Sequence, residues 1–206
     1  MSQVDDIALV QRAKDGEDAA FRELLERHQG RVYHHALRLM GNAEDAEEVL
    51  QDTFLKVFRH LDRFEERSRF STWIYRIATN EALMRLRKAR RAREVSLDER
   101  LERDGGEWVG DEIRDFTRTA LDHAMDAEIR AALEETLLEL PPEYRVVFTM
   151  RDVDGLTNAE VAEVLDISVA AVKSRLHRSR MYLRNRLSRV FRERRPDAAR
   201  DEESQA

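Results

Sequence analysis

The chain has 206 residues, of which 38% are charged and 42% apolar, with a net charge of −6, no cysteine, seven glycines and three prolines. This composition excludes a disulfide framework, thiolate metal sites, wholesale disorder and any run of the ~20 apolar residues that a membrane span needs. It predicts a soluble, all-α protein of two small helical domains, and the N-terminal Met1-Ser2-Gln3-Val4-Asp5-Asp6, which lacks a leader pattern, fits a cytoplasmic location without membrane insertion.

Asp5 to Lys14 reads as a short helix ended by Asp15-Gly16. A longer one runs from Asp18 to about Met40, with Phe21, Leu24, Leu25, Val32, Ala36, Leu39 and Met40 as its inward stripe. Gly41-Asn42 stops it, and Asn42 is placed to cap a third helix whose first turn carries Glu44 and Asp45, on the positive end of the helix dipole. There Ala46, Val49, Leu50, Phe54, Val57, Phe58 and Leu61 make the expected buried side. After a polar segment, Ser71 is expected to cap a helix that continues to about Arg93. From Glu94 the periodicity fades among acids and Gly105-Gly106, which predicts a flexible acidic linker over 94–120 between domains at 1–93 and 121–195.

In the second domain, a helix marked by Ala124, Ile129, Ala132, Leu133, Leu137 and Leu140 stops at Pro141-Pro142. Pro142 suits the first turn of the next helix, which buries Val146, Val147 and Met150 and ends at Asp154-Gly155. Thr157 and Glu160 form the Thr-x-x-Glu capping box of another short helix. Asp166-Ile167-Ser168 is the turn, and Ser168 caps a long helix reaching about Arg192, followed by a polar tail, 196–206.

Two short helices about a tight turn, the second with a basic outer face, are the sequence form of a helix-turn-helix, whose second helix enters the DNA major groove. With Val172, Leu176, Leu183 and Leu187 facing inward, the opposite face presents Lys173, Ser174, His177 and Arg178 to base edges. Arg175, Arg180 and Arg184 flank that face and suit phosphates. The net negative charge argues against nucleic acid, but its distribution does not. Arg85 to Arg93 holds six basic residues and no acid, and Lys173 to Arg195 holds ten Lys or Arg against one acid. A basic hairpin docking another protein is the competing interpretation.

A second constellation lies in Arg69–Ala82. Trp73, Arg76 and Asn80 share a helix face, while Ile74, Ile77 and Ala78 point the other way. Aromatic rings stack on unpaired bases and Asn reads base edges, so this face suits single-stranded nucleic acid. On chemistry alone, aromatics at this spacing more often belong to a packed core.

Four segments, Asp45-Ala-Glu-Glu-Val-Leu-Gln-Asp-Thr-Phe-Leu-Lys-Val-Phe58, Phe70-Ser-Thr-Trp-Ile-Tyr-Arg-Ile-Ala-Thr-Asn80, Leu140-Pro-Pro-Glu-Tyr-Arg and the helix-turn-helix, resemble in order the extracytoplasmic-function group of bacterial sigma factors. The resemblance implies an initiation factor that binds core RNA polymerase and promoter DNA and is restrained by an anti-sigma protein. It assigns Glu47, Glu48, Gln51 and Asp52 to polymerase contact, Trp73, Arg76 and Asn80 to the melted −10 element, and Lys173, Ser174, His177 and Arg178 to the −35 element. It also implies that the acidic linker threads through the polymerase channels. Where the family commonly has Phe-Arg-Gly, this chain has Phe64-Glu65-Glu66.

The alternatives are a helix-turn-helix regulator that works without polymerase and a protein-binding helical adaptor. An enzyme is not expected, since no Gly-rich phosphate loop, His-Glu-x-x-His or nucleophile elbow occurs. No cofactor or metal is expected either. His34 and His35 diverge around one helix, and His28, His60 and His123 stand alone, which fits surface or packing roles.

Overall fold

The computed structural model describes residues 3–91 and 127–194, as helices and turns with no strand among them. Helix α1 spans Gln3–Lys14, α2 Asp18–Met40, α3 Ala43–His60 and α4 Phe70–Arg91, with a 3₁₀ turn at Leu61–Arg63. The second unit holds α5 (Ala127–Glu139), α6 (Pro142–Phe148), a π turn (Thr149–Val153), α7 (Asn158–Leu165) and α8 (Val169–Arg194). The expected linker, most of the start of the second unit and the expected tail lie outside the described residues.

Most local signals act as the sequence predicts. Gly41 closes α2 in the left-handed region, its N–H donating to the Leu37 carbonyl, and the Asn42 side chain accepts from the Asp45 N–H at 2.8 Å. Pro142 occupies the first turn of α6. Ser168 accepts from the Ala171 N–H at 3.1 Å, and the inward residues Val172, Leu176, Leu183 and Leu187 of α8 are buried. Each such side chain contributes roughly 1.5–3 kcal/mol when fully buried.

Two expectations need correction. Ser71 does not cap α4: the Trp73 N–H donates to the Arg69 carbonyl at 3.0 Å, so the first turn already closes around buried Phe70. Phe58 is not core but 64% exposed. The inward stripe of α3 passes through Ala46, Val49, Thr53 and Val57, which leaves Phe58 at the rim, edge-on to Phe21 at 5.2 Å.

In the first unit, α2 packs against α1, α3 and α4. Polar ties fix α3 to α4: Lys56 pairs with buried Glu81, and Arg85 reaches both Glu48 and Asp52. In the second unit, α8 packs on α5, α6 and α7. The units meet where α2 and α4 touch α5, α6, the π turn and α7.

Candidate nucleic-acid interface

The helix-turn-helix is built by its caps. Thr157 Oγ1 accepts from the Glu160 N–H at 3.2 Å, and Glu160 Oε2 accepts from the Thr157 N–H at 2.8 Å, so both halves of the capping box are present. The Thr157 N–H, foremost, holds the Glu160 carboxyl below its ordinary value. Asp166 turns the chain in the left-handed region at φ 53°, a conformation Asp tolerates better than most residues.

On α8, Lys173, Ser174 and Arg178 are exposed, and His177 is half-buried beside them. Arg178 Nη1 donates to the Tyr144 hydroxyl at 3.3 Å, a weak tether that leaves the guanidinium turned outward. Arg175 and Arg184 are half-buried on the flanks. Arg180 differs from the expectation of a phosphate ligand. Its Nε and Nη2 donate to the two carboxylate oxygens of Asp152 at 2.8 and 2.6 Å, and their side chains are only 15% and 9% exposed. A bidentate pair of that burial joins α8 to the π turn and leaves little of Arg180 for DNA.

In the first unit, Trp73 is half-buried, its ring 5.3 Å from Phe64 and 5.8 Å from Phe70. Part of the indole therefore packs as core, and the remainder faces outward with Arg76 and exposed Asn80. The loop before α4 hangs from the same aromatics: Phe64 and Phe70 are buried while Glu65, Glu66 and Arg67 are exposed. Lys14 Nζ donates to the Phe64 carbonyl at 2.6 Å, Glu65 pairs with Arg67, and Gln11 donates to Glu66, which sits at φ 60°.

On α3, Glu47 and Gln51 are exposed. Glu48 and Asp52 share Arg85, whose proton they hold more firmly, Asp52 foremost. Leu55 and Phe58 extend this face as exposed apolar residues.

Sequence reasoning missed a buried polar seam between the units. His35 is fully buried, with Nδ1 2.7 Å from Asp154 Oδ2, Nε2 3.0 Å from Thr79 Oγ1, and the Tyr75 ring edge-on at 4.9 Å. Arg38 also pairs with Asp154. Burial alone would raise the Asp154 carboxyl, but His35 and Arg38 outweigh it and hold the group low. Burial, with Asp154 nearby, raises the Tyr75 phenol. Burial also draws the Arg145 guanidinium down to about 10, since its partners are carbonyls and not carboxylates. The one sequence signal was His35 itself, which falls in the apolar stripe of α2 beside Val32, Ala36 and Leu39. Among the described residues no cluster of His, Asp and Glu could hold a metal, and no helix is long and apolar enough to cross a membrane.

Comparison with known proteins places these elements. Residues 24–92 match Sigma-70 region 2, and residues 130–183 match Sigma-70 region 4. The chain is 31% identical to the ECF RNA polymerase sigma factor SigW of Bacillus subtilis over 178 residues, covering 86% of this chain and 94% of that one. It is also 31% identical to the ECF RNA polymerase sigma-E factor of Haemophilus influenzae, covering 90% and 96%. The structure of CnrH in complex with the cytosolic domain of CnrY superposes with a TM-score of 0.61 at 29% identity, over 89% of this chain and 97% of that one. Region 2 thus coincides with the α2–α4 unit that carries Trp73 and the acidic α3 face, and region 4 with most of the unit that carries the capped helix-turn-helix: the chain belongs to the extracytoplasmic-function family of RNA polymerase sigma factors.

Proposed function

We propose that this chain is an alternative sigma factor that joins core RNA polymerase, holds the melted −10 strand on its first unit and reads the −35 duplex with its second. The observation that carries this is the exposed stripe Lys173, Ser174 and Arg178 on a fully capped helix-turn-helix, in one chain with an aromatic-basic face on α4. Sequence contacts fall to Lys173, Ser174, His177 and Arg178, and Arg175 and Arg184 position phosphates. Trp73, Arg76 and Asn80 face the displaced strand. Glu47 and Gln51, with Glu48 and Asp52 once they part from Arg85, meet a basic groove on the polymerase, flanked by the apolar Leu55 and Phe58.

The domains extend over 1–93 and 121–195, with 94–120 linking them. The factor needs no catalytic group of its own and works in the cytoplasm. A protein of the anti-sigma class restrains it; CnrH, a similar chain, was solved with a protein partner.

Stacking loss on melting, about 1.4 kcal/mol per step, is offset by capture of bases at about 1–3 kcal/mol each, so strand separation needs both units and the polymerase together. Run-off transcription on genomic fragments, with core polymerase and with or without this protein, is the test. Specific transcripts that depend on the protein are expected. Failure to form a stable complex with bacterial core would refute the proposal, and tight specific duplex binding without polymerase would favour a conventional regulator.

A further inference from the structure

Helix α1 lies ahead of the residues matched to Sigma-70 region 2, and neither the promoter nor the polymerase contacts above draw on it. It is fixed at both ends. Leu9 and Val10 are buried, and Asp6 pairs with Arg27 at 3.3 Å and with His28 at 3.0 Å on α2. At its carboxyl end Gln11 and Lys14, three residues apart and so on one face, both reach the loop that leads into α4.

That loop has little of its own to hold it. Phe64 and Phe70 sink its two ends into the core, their rings 5.6 Å apart, and both rings pack on Trp73. Among the described residues, 65–68 make no backbone hydrogen bond. The loop is held instead from α1: Lys14 Nζ donates to the Phe64 carbonyl at 2.6 Å, and Gln11 donates to the Glu66 carboxylate. Glu66 occupies the left-handed region at φ 60°, where the family commonly has glycine, and strain of this kind persists only where neighbours enforce it. Both exposed carboxylates of the loop are thereby occupied, Glu65 by Arg67 and Glu66 by Gln11.

We propose that α1 is the positioning element of the −10 site: Lys14 sets the loop through the Phe64 carbonyl, and Gln11 holds the Glu66 carboxylate back from the phosphates of the displaced strand. This rests on the −10 role given above to Trp73, Arg76 and Asn80. Neither Lys14 nor Gln11 touches the strand. Lys14 acts through the backbone of Phe64, whose ring backs Trp73, so its loss leaves the indole on a looser support. Gln11 acts through charge: a released Glu66 carboxylate repels phosphate, and salt screens that repulsion.

Two assays on the full chain test this. Trypsin cleavage after Arg67 reads the loop without DNA or polymerase. Lys14→Met, which keeps the apolar stem and removes the donor, should be cut there about fivefold faster than the parent chain, the effect of one lost hydrogen bond. Lys14→Arg, which keeps a donor, should be cut near the parent rate. Arg12→Ala breaks a pair with Glu17 and no tie to the loop, and should match the parent in both assays. Open-complex formation with core polymerase, on a promoter recovered by run-off transcription, reads the function. There Lys14→Met should be about fivefold slower, with −35 duplex binding unchanged and Lys14→Arg restored. Gln11→Ala should be about threefold slower at low salt, as for an exposed charge contact. That loss should shrink as salt is raised and vanish in a Glu66→Gly background.

Cleavage of Lys14→Met at the parent rate overturns the brace, as does open-complex formation at the parent rate by both Lys14→Met and Gln11→Ala. A loss from Gln11→Ala that persists at high salt or in the Glu66→Gly background overturns the role given to charge. If cleavage responds while the parent chain itself forms no open complex, the initiation function falls and the brace on the loop stands.

Discussion

Replacing Gly41 with alanine probes the seam at a single carbon atom. Gly41 sits at φ 81° and ψ 2°, and an L-residue held there costs about 1–2 kcal/mol. The stiffer unfolded chain returns about 0.4–1 kcal/mol, which leaves roughly 1 kcal/mol of backbone cost. The new Cβ would also lie 2.6 Å from Leu138 Cδ2 and 2.8 Å from Cδ1. Leu138 is 39% exposed, so its side chain turns away and forfeits contacts where a backbone would have to yield, at about 1 kcal/mol more. Gly41→Ala therefore destabilises by about 2 kcal/mol in the parent chain and about 1 kcal/mol in a Leu138→Ala background, a coupling of about 1 kcal/mol. Urea unfolding of the four proteins, at constant m value, measures it. A cycle that closes to zero would mean that Leu138 does not lie against Gly41 in solution, and the seam would lose its apolar contact.

Four other outcomes follow from local geometry. Thr157→Ala should cost about 1 kcal/mol through loss of the N-cap, and Thr157→Ser should recover most of it. The Glu160 carboxyl is held below 4.5 in the fold, so its contribution is complete above that pH and disappears as the pH falls through the folded value. The stability gap between the parent and Glu160→Gln should accordingly shrink on acidification, and a constant gap would contradict this. Glu66, at φ 60° where the family commonly has glycine, should gain about 1 kcal/mol on Glu66→Gly, a rise of about 2–4 °C in Tm. Trp73→Ala should lower open-complex formation about fivefold or more while −35 duplex binding holds, as expected for about 1–3 kcal/mol of lost stacking; equal loss in both assays would make the indole a packing residue only.

The helices and, Ser71 excepted, their caps were legible because their causes are local. Asn42, Pro142, the Thr157–Glu160 pair and Ser168 act within a turn of their own position, and the stripe Val172, Leu176, Leu183 and Leu187 repeats with the helix. The exposed stripe on α8 followed from the same periodicity. What stayed hidden depends on residues far apart in sequence. Nothing near Arg180 announces Asp152 as its partner, and nothing near His35 announces Asp154, 119 residues away. Phe58 misled for a related reason: its spacing matched the inward stripe, but the neighbour it meets is the rim residue Phe21 and not the core.

The wide turn at Thr149–Val153 decides where Asp154 points. Its Asp154 N–H donates to the Thr149 carbonyl at 2.8 Å, five residues back, so one more residue is fitted in than an α turn would hold. Each residue of an α-helix advances the chain by about 100°, and taking one out would swing the carboxylate away from α2 by that angle. The elbow of the molecule is thus set by how many residues the turn contains, a quantity that substitutions leave untouched and a single deletion resets.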